Sequence, residues 1–227
     1  LGVGFQLRHH PGHIKARQLI RENVLGFISM AQAQWCLGDR GVVKTPPRTG
    51  LREWWGQPEM IGGASILMGT GVHALDLLYF LLGQPVSEVS AITDGQTSSA
   101  PLEKRAAVAI RFADGTVGTV CCGRYMPDTE NDATVYGSGG RISLRGTLWE
   151  ALTGAMDVVS ETVDLSQQYD YNQLTLYQSQ TEAFNRAIQS GTEFRASGED
   201  GLHIVSVTSA IIEAASTGRA VKVASPV

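Results

Sequence analysis

Ala106-Ala107-Val108-Ala109-Ile110-Arg111-Phe112, then Ala113-Asp114-Gly115-Thr116, then Val117-Gly118-Thr119-Val120-Cys121-Cys122: this stretch decides the fold class. Ala106, Val108, Ile110 and Phe112 recur at every second position, the period of a half-buried strand. Asp114-Gly115 lies at the centre of the interruption, and apolar residues resume after it, which is the signature of a tight hairpin. The face opposite Val108 and Ile110 carries Ala107, Ala109 and Arg111, small and only partly polar. Upstream, residues 86–93 alternate in the same way. Downstream, residues 134–136 and 141–144 flank Gly137-Ser138-Gly139-Gly140 as a second hairpin, and residues 156–163 read as another strand. Helical spacing brackets this block. Residues 10–23 carry Ala16, Leu19 and Ile20 on one stripe behind Pro11, a proline suited to a first turn. Residues 72–82 form a helix stopped by Gly83 and Pro85. Tyr177, Thr181, Phe184 and Ile188 mark a third helix ending before Gly191, and Leu202, Val205, Ser209 and Ile212 a fourth ending before Gly218. Residues 27–35 are strand-like, and the Gly-, Pro- and Arg-rich residues 38–58, with Pro46-Pro47, read as a long irregular loop of a kind that is often functional. Hairpins in succession, flanked by helices, predict an α+β fold: a large open antiparallel β-sheet with helices on one face.

Composition narrows the function. In 227 residues, Lys+Arg number 18 and Asp+Glu 22, for a net charge of −4. There is no basic run, which argues against a nucleic-acid partner. The longest apolar stretch, 74–82, contains Asp76 and is too short to span a membrane. Cys36, Cys121 and Cys122 have no metal spacing and no paired framework, as expected in a reducing cytoplasm. Residues 1–7, apolar and punctuated by Gly2 and Gly4, read as a buried strand.

Gly69-Thr70-Gly71-Val72-His73-Ala74 fits the dinucleotide pattern G-x-G-x-x-A. Hairpins rather than alternating βαβ units follow it, and His73 and Asp76 have no part in cradling phosphate, so it reads as a chance match. In the helix that follows, His73, Asp76, Leu77 and Phe80 share a face. A histidine near a helix N-terminus is biased towards neutral imidazole, which can accept a proton from a substrate hydroxyl near neutrality. The alternative is a half-buried histidine hydrogen-bonded to a neighbouring loop. His9, His10 and His13 cluster but have no carboxylate or cysteine beside them, so no metal is expected. Trp54-Trp55 suits a sugar- or cofactor-binding wall or a loop anchor. Tyr169 and Tyr171 precede the third helix, and Tyr177 reads as core. Arg8 suits an anion or a helix end.

Several segments, in order and spacing, resemble the C-terminal part of the Gfo/Idh/MocA (glucose–fructose oxidoreductase and inositol dehydrogenase) oxidoreductases. They are Gly4-Phe5-Gln6-Leu7-Arg8-His9-His10-Pro11, residues 54–58 with Gly62-Gly63, residues 68–78, residues 112–118, residues 137–145, Ser197-Gly198-Glu199-Asp200-Gly201 and Thr217-Gly218-Arg219-Ala220-Val221. The resemblance implies that residues 1–8 are the remnant last strand of a dinucleotide-binding Rossmann domain otherwise missing here. Residues 9–227 are then a substrate-binding and oligomerisation domain. It implies NAD or NADP bound mainly by the missing N-terminal domain, a sugar- or polyol-like substrate, and a homo-oligomer formed through the sheet face. It assigns catalysis to His73, substrate contacts to Gln6, Arg8, Trp54, Trp55 and Asp76, and cofactor contacts to Gln6 and Leu7. Gly69 stands where the family often has an aspartate, and Trp55 where it has an arginine. On this reading the chain alone is inactive and the complete protein is an oxidoreductase; the rival readings are a non-enzymatic binding or scaffold module and one half of a split dehydrogenase.

Overall fold

A computed structural model describes residues 1–38, 49–170 and 175–224, without the Leu51 side chain. Pro46-Pro47 and Tyr171 therefore lie outside the described residues. The strands are β1 Ile28–Leu37, β2 Val86–Thr93, β3 Arg105–Phe112, β4 Val117–Arg124, β5 Ala133–Gly137, β6 Gly140–Arg145, β7 Ala155–Ser160, β8 Asp164–Gln168 and β9 Val221–Lys222. They form one sheet in the order β8-β7-β6-β5-β1-β4-β3-β2-β9. The deciding hairpin is β3–β4, in register from Arg105 opposite Gly123 to Arg111 opposite Val117. Its turn needs Gly115, whose φ of +91° is a conformation that side chains rarely adopt. The central strand β1 runs antiparallel to β5 and parallel to β4, the one parallel pairing among the described strands.

Alternation along β3 sends Ala106, Val108, Ile110 and Phe112 to one face, where all four are buried, and leaves Ala107, Ala109 and Arg111 exposed on the other. The buried face continues through Val120, Val135, Ile142, Leu144 and Val158. It is covered by α1 Pro11–Arg21, α2 Val72–Leu82 and α4 Gly198–Thr217, which contribute Leu19, Leu75, Leu78, Ile204, Val207 and Ile211 to the same core. At about 25 cal/mol per Å² of buried apolar surface, this layer is the main drive to fold. α3 Leu176–Ser190 buries only Leu176 and packs on the turn formed by residues 6–9.

Two expectations fail. Residues 1–7 are not a strand: Gly2 makes a single bridge to Ser197, and Gln6–His9 is a buried 3₁₀ turn packed against α1, α2 and α3. Its apolar residues Phe5 and Leu7 are buried in the core shared with α1 and α2. Residues 156–163 do not form one strand either; the chain turns after Ser160 and returns as β8. That edge strand, Asp-Leu-Ser-Gln-Gln, is nearly all exposed and has no alternation to announce it. No helix among the described residues is long and apolar enough to cross a membrane.

Candidate functional site

The helix that carries His73 begins before α2. Ile66 already has helical backbone angles, and a π-helical turn, Leu67–Gly71, runs directly into Val72. The buried carboxylate of Glu103, from the β2–β3 connection, accepts the N–H groups of Ser65 and Leu67, each at 2.7 Å, and fixes this start. Gly69 N–H donates to Ser65 O at 3.0 Å and Val72 N–H to Leu67 O. The glycines are thus part of a continuous helix, with no free N–H nest for phosphate. Gly71 is tightly packed: a Cβ there would lie 3.2 Å from Cys122 Sγ.

His73 faces a cleft of about 450 Å³, within the usual range for small-ligand sites. Gln6, Trp35 and His73 line it, with Trp55, Trp149 and Tyr177 as aromatic neighbours, and Arg124 and Glu150 add opposite charges. The His73 ring lies 5.5 Å from the Trp35 ring and 6.0 Å, edge to face, from Phe5. Burial lowers the imidazole to about 4, so it is neutral at pH 7. The neutral form matches expectation, but the cause differs. The helix already runs from Ile66, so His73 does not sit at a free helix end, and desolvation does what the dipole was expected to do. The core reading of Tyr177 is also corrected: it is 44% exposed on the cleft.

Among the described residues, polar atoms here stand without partners. Both amide atoms of Gln6, Nε1 of Trp35 and Nδ1 of His73 are buried with no hydrogen bond. Each such group costs about 1–3 kcal/mol, a cost that native folds usually avoid outside functional sites.

The other expected residues are placed differently. Arg8 and Asp76 are buried against each other, with Arg8 Nη2 2.6 Å from Asp76 Oδ1 and Nε 3.0 Å from Oδ2. Arg8 Nη1 also reaches Asp200 at 2.8 Å and Arg195 O at 2.7 Å. Burial pushes the Asp76 carboxyl up, against the pull of the Arg8 guanidinium. Neither lines the cleft; together they form a buried joint between the residues 6–9 turn and α2. Leu7, expected near a cofactor, is fully buried in the core, and its carbonyl accepts from His13 Nδ1 at 2.7 Å. Trp54 stacks on Trp55 at 4.7 Å, so Trp55 faces the cleft and Trp54, 39% exposed, backs it. Gly69 leaves space: a Cβ there would meet only Trp55, at 4.0 Å. His10 engages Gly12 N and Thr153 O, and His13 engages Leu7 O and Thr147 Oγ1, so both ring nitrogens of each are used within the fold. Trp35, Trp149, Arg124 and Glu150 were not legible as site residues; only the pairing of β1 with β4 and the loop after β6 bring them together.

A family model described as "Oxidoreductase family, C-terminal alpha/beta domain" matches residues 17–223. The 1,5-anhydro-D-fructose reductase of Ensifer adhaerens is 25% identical over 225 residues, 98% of this chain and 64% of the relative. The D-xylose 1-dehydrogenase (NADP(+)) 2 of Haloferax volcanii is 27% identical over 173 residues, 73% of this chain and 49% of the relative. Among solved structures, aldose-aldose oxidoreductase from Caulobacter crescentus, complexed with glycerol, superposes with a TM-score of 0.80 at 22% identity, covering 98% of this chain and 63% of that one. This last likeness shows the fold. The chain spans at most 64% of the length of these relatives.

Proposed function

Because the chain belongs to the Gfo/Idh/MocA oxidoreductases, by the C-terminal α/β domain that residues 17–223 match, we propose that its cleft is the substrate site of an NAD(P)-dependent enzyme acting on a sugar, polyol or related hydroxyl compound. The observation that carries this reading is the neutral imidazole of His73 beside the unpartnered Gln6 amide in an aromatic-walled cleft. The names of the relatives, a reductase of an anhydro sugar and a xylose dehydrogenase, support the substrate class. When bound, a nicotinamide supplies or accepts the hydride. The Gly69–Ala74 turn does not fit the dinucleotide phosphates, since the N–H groups of Gly69 and Val72 are held inside the helix. A dinucleotide domain ahead of residues 1–8 in a longer cytoplasmic protein, or on a separate chain, completes the enzyme.

Within the cleft, Gln6 has one acceptor and two donors to orient a hydroxyl or carbonyl. The neutral His73 takes the hydroxyl proton during oxidation and returns it during reduction. Trp55 and Trp149 present aromatic faces and limit water. In the full-length enzyme, His73→Ala is expected to lower kcat by roughly 10²–10⁴-fold with nucleotide affinity nearly unchanged. Full turnover of that variant across pH 6–9 would reduce His73 to a structural residue.

The same reading includes self-association through the uncovered sheet face, where Ala107 and Ala109 are exposed beside Ile92, which is 79% exposed. A two-fold contact makes such a face self-complementary. Light scattering is expected to give at least twice the chain mass of 24.3 kDa, and Ala109→Glu is expected to split the dimer by burying an unpaired charge. A monomer mass for the unmodified chain would exclude the contact.

A further inference from the structure

Trp35 was assigned no role by the sequence, yet it is 4% exposed and its Nε1 has no hydrogen-bond partner among the described residues. It stands on β1 opposite Cys122 of β4, on the helix-covered face of the sheet, and so at the floor of the cleft. A buried tryptophan normally finds an acceptor for its N–H, and the described residues supply none. An indole N–H only donates, so its missing partner is an oxygen acceptor. Gln6 and the neutral His73 beside it also have buried polar atoms without partners among the described residues, so the floor offers several hydrogen-bonding groups to one ligand. The part of the ligand that reaches the floor therefore carries an oxygen acceptor. Above it, the Trp149 ring lies 6.5 Å from the Trp35 ring, and the 42% exposed face of Trp149 offers an apolar wall. A ring with hydroxyls at its edge and C–H bonds on its face meets both demands.

We propose that Trp35 is a specificity-determining residue, whose indole N–H donates to one oxygen of a polyhydroxylated ring lying against Trp149. This rests on the reading of the cleft as the substrate site and adds the ring class and the contact that selects it. A site built to hydrogen-bond a given oxygen strongly disfavours an analogue that lacks it, because its own donor is then left buried and unpaired.

The chain contains four tryptophans, so its indole ¹⁵N–¹H spectrum has four signals. Trp→Phe at positions 54, 55 and 149 assigns three, and Trp35 follows by elimination without disturbing the buried site. Titration with D-xylose in its pyranose form and with myo-inositol is expected to move the Trp35 signal saturably with at least one of them. In the full-length enzyme, Trp35→Phe, which keeps an aromatic ring and loses the N–H, is expected to raise KM for that compound tenfold or more, with a smaller change in kcat. If the Trp149 indole and His73 imidazole signals respond while Trp35 stays still, the cleft remains the substrate site and the role of Trp35 is overturned. If none of the three responds to either compound, the cleft reading falls and this inference with it. An unchanged KM in a folded Trp35→Phe enzyme also overturns it.

Discussion

Two polar pairs bridge the same two elements and end in opposite states. The Gln6–His9 turn sends Gln6 to the cleft and Arg8 to the interior; α2 sends His73 to the cleft and Asp76 to the interior. Arg8 and Asp76 satisfy each other with bidentate hydrogen bonds, and Arg8 extends to Asp200 in the capping box of α4. Gln6 and His73 leave buried polar atoms unpaired. Two residues along the turn and three along the helix separate a closed structural lock from an open site. The lesson is that a shared helix face does not mean a shared task. His73 and Asp76 are neighbours in sequence and on the helix, and the fold gives one to the cleft and the other to a buried joint with Arg8.

The comparison is broken most severely at the lock. Arg8→Met leaves Asp76 buried without its cation, a change expected to cost about 3–5 kcal/mol, measurable by urea unfolding. Adding Asp76→Leu to Arg8→Met is expected to recover part of that loss, because the second change removes the stranded carboxyl; Asp200 and the Arg195 carbonyl still lack their partner. A double variant no more stable than Arg8→Met alone would mean that the pair is not the source of the cost. His73→Ala, by contrast, is expected to leave the unfolding midpoint within about 1 kcal/mol of wild type, since it removes an unpartnered group.

A smaller change sharpens the open side. Gly69 lies one helical turn before His73 with space for a side chain, and an aspartate there comes within reach of the imidazole. Gly69→Asp is expected to raise the His73 titration from about 4 by about one unit, read by NMR, because a nearby carboxylate favours the imidazolium. The sign follows directly: at pH 7 both proteins carry mainly neutral His73, and the difference is visible only on acidification. An unmoved titration would show that the carboxylate points away, towards Trp55.

The β3–β4 hairpin, the alternation of β2 and β3, the three helices after residue 70 and their glycine stops were legible in the sequence, because each rests on local periodicity and local turn chemistry. The same holds for the exposed Ala107 and Ala109 face. Long-range pairing was not written in any window. The parallel match of β1 to β4 brings Trp35 to the cleft floor, Glu103 reaches back from another connection to fix the His73 helix, and the residues 6–9 turn is buried by helices that follow it by up to about two hundred positions. Sequence by itself determined which faces are apolar and where the chain turns. Only the tertiary structure decided which buried polar groups found partners, because a hydrogen bond between residues 8 and 76 depends on packing, and packing is settled by the whole core at once.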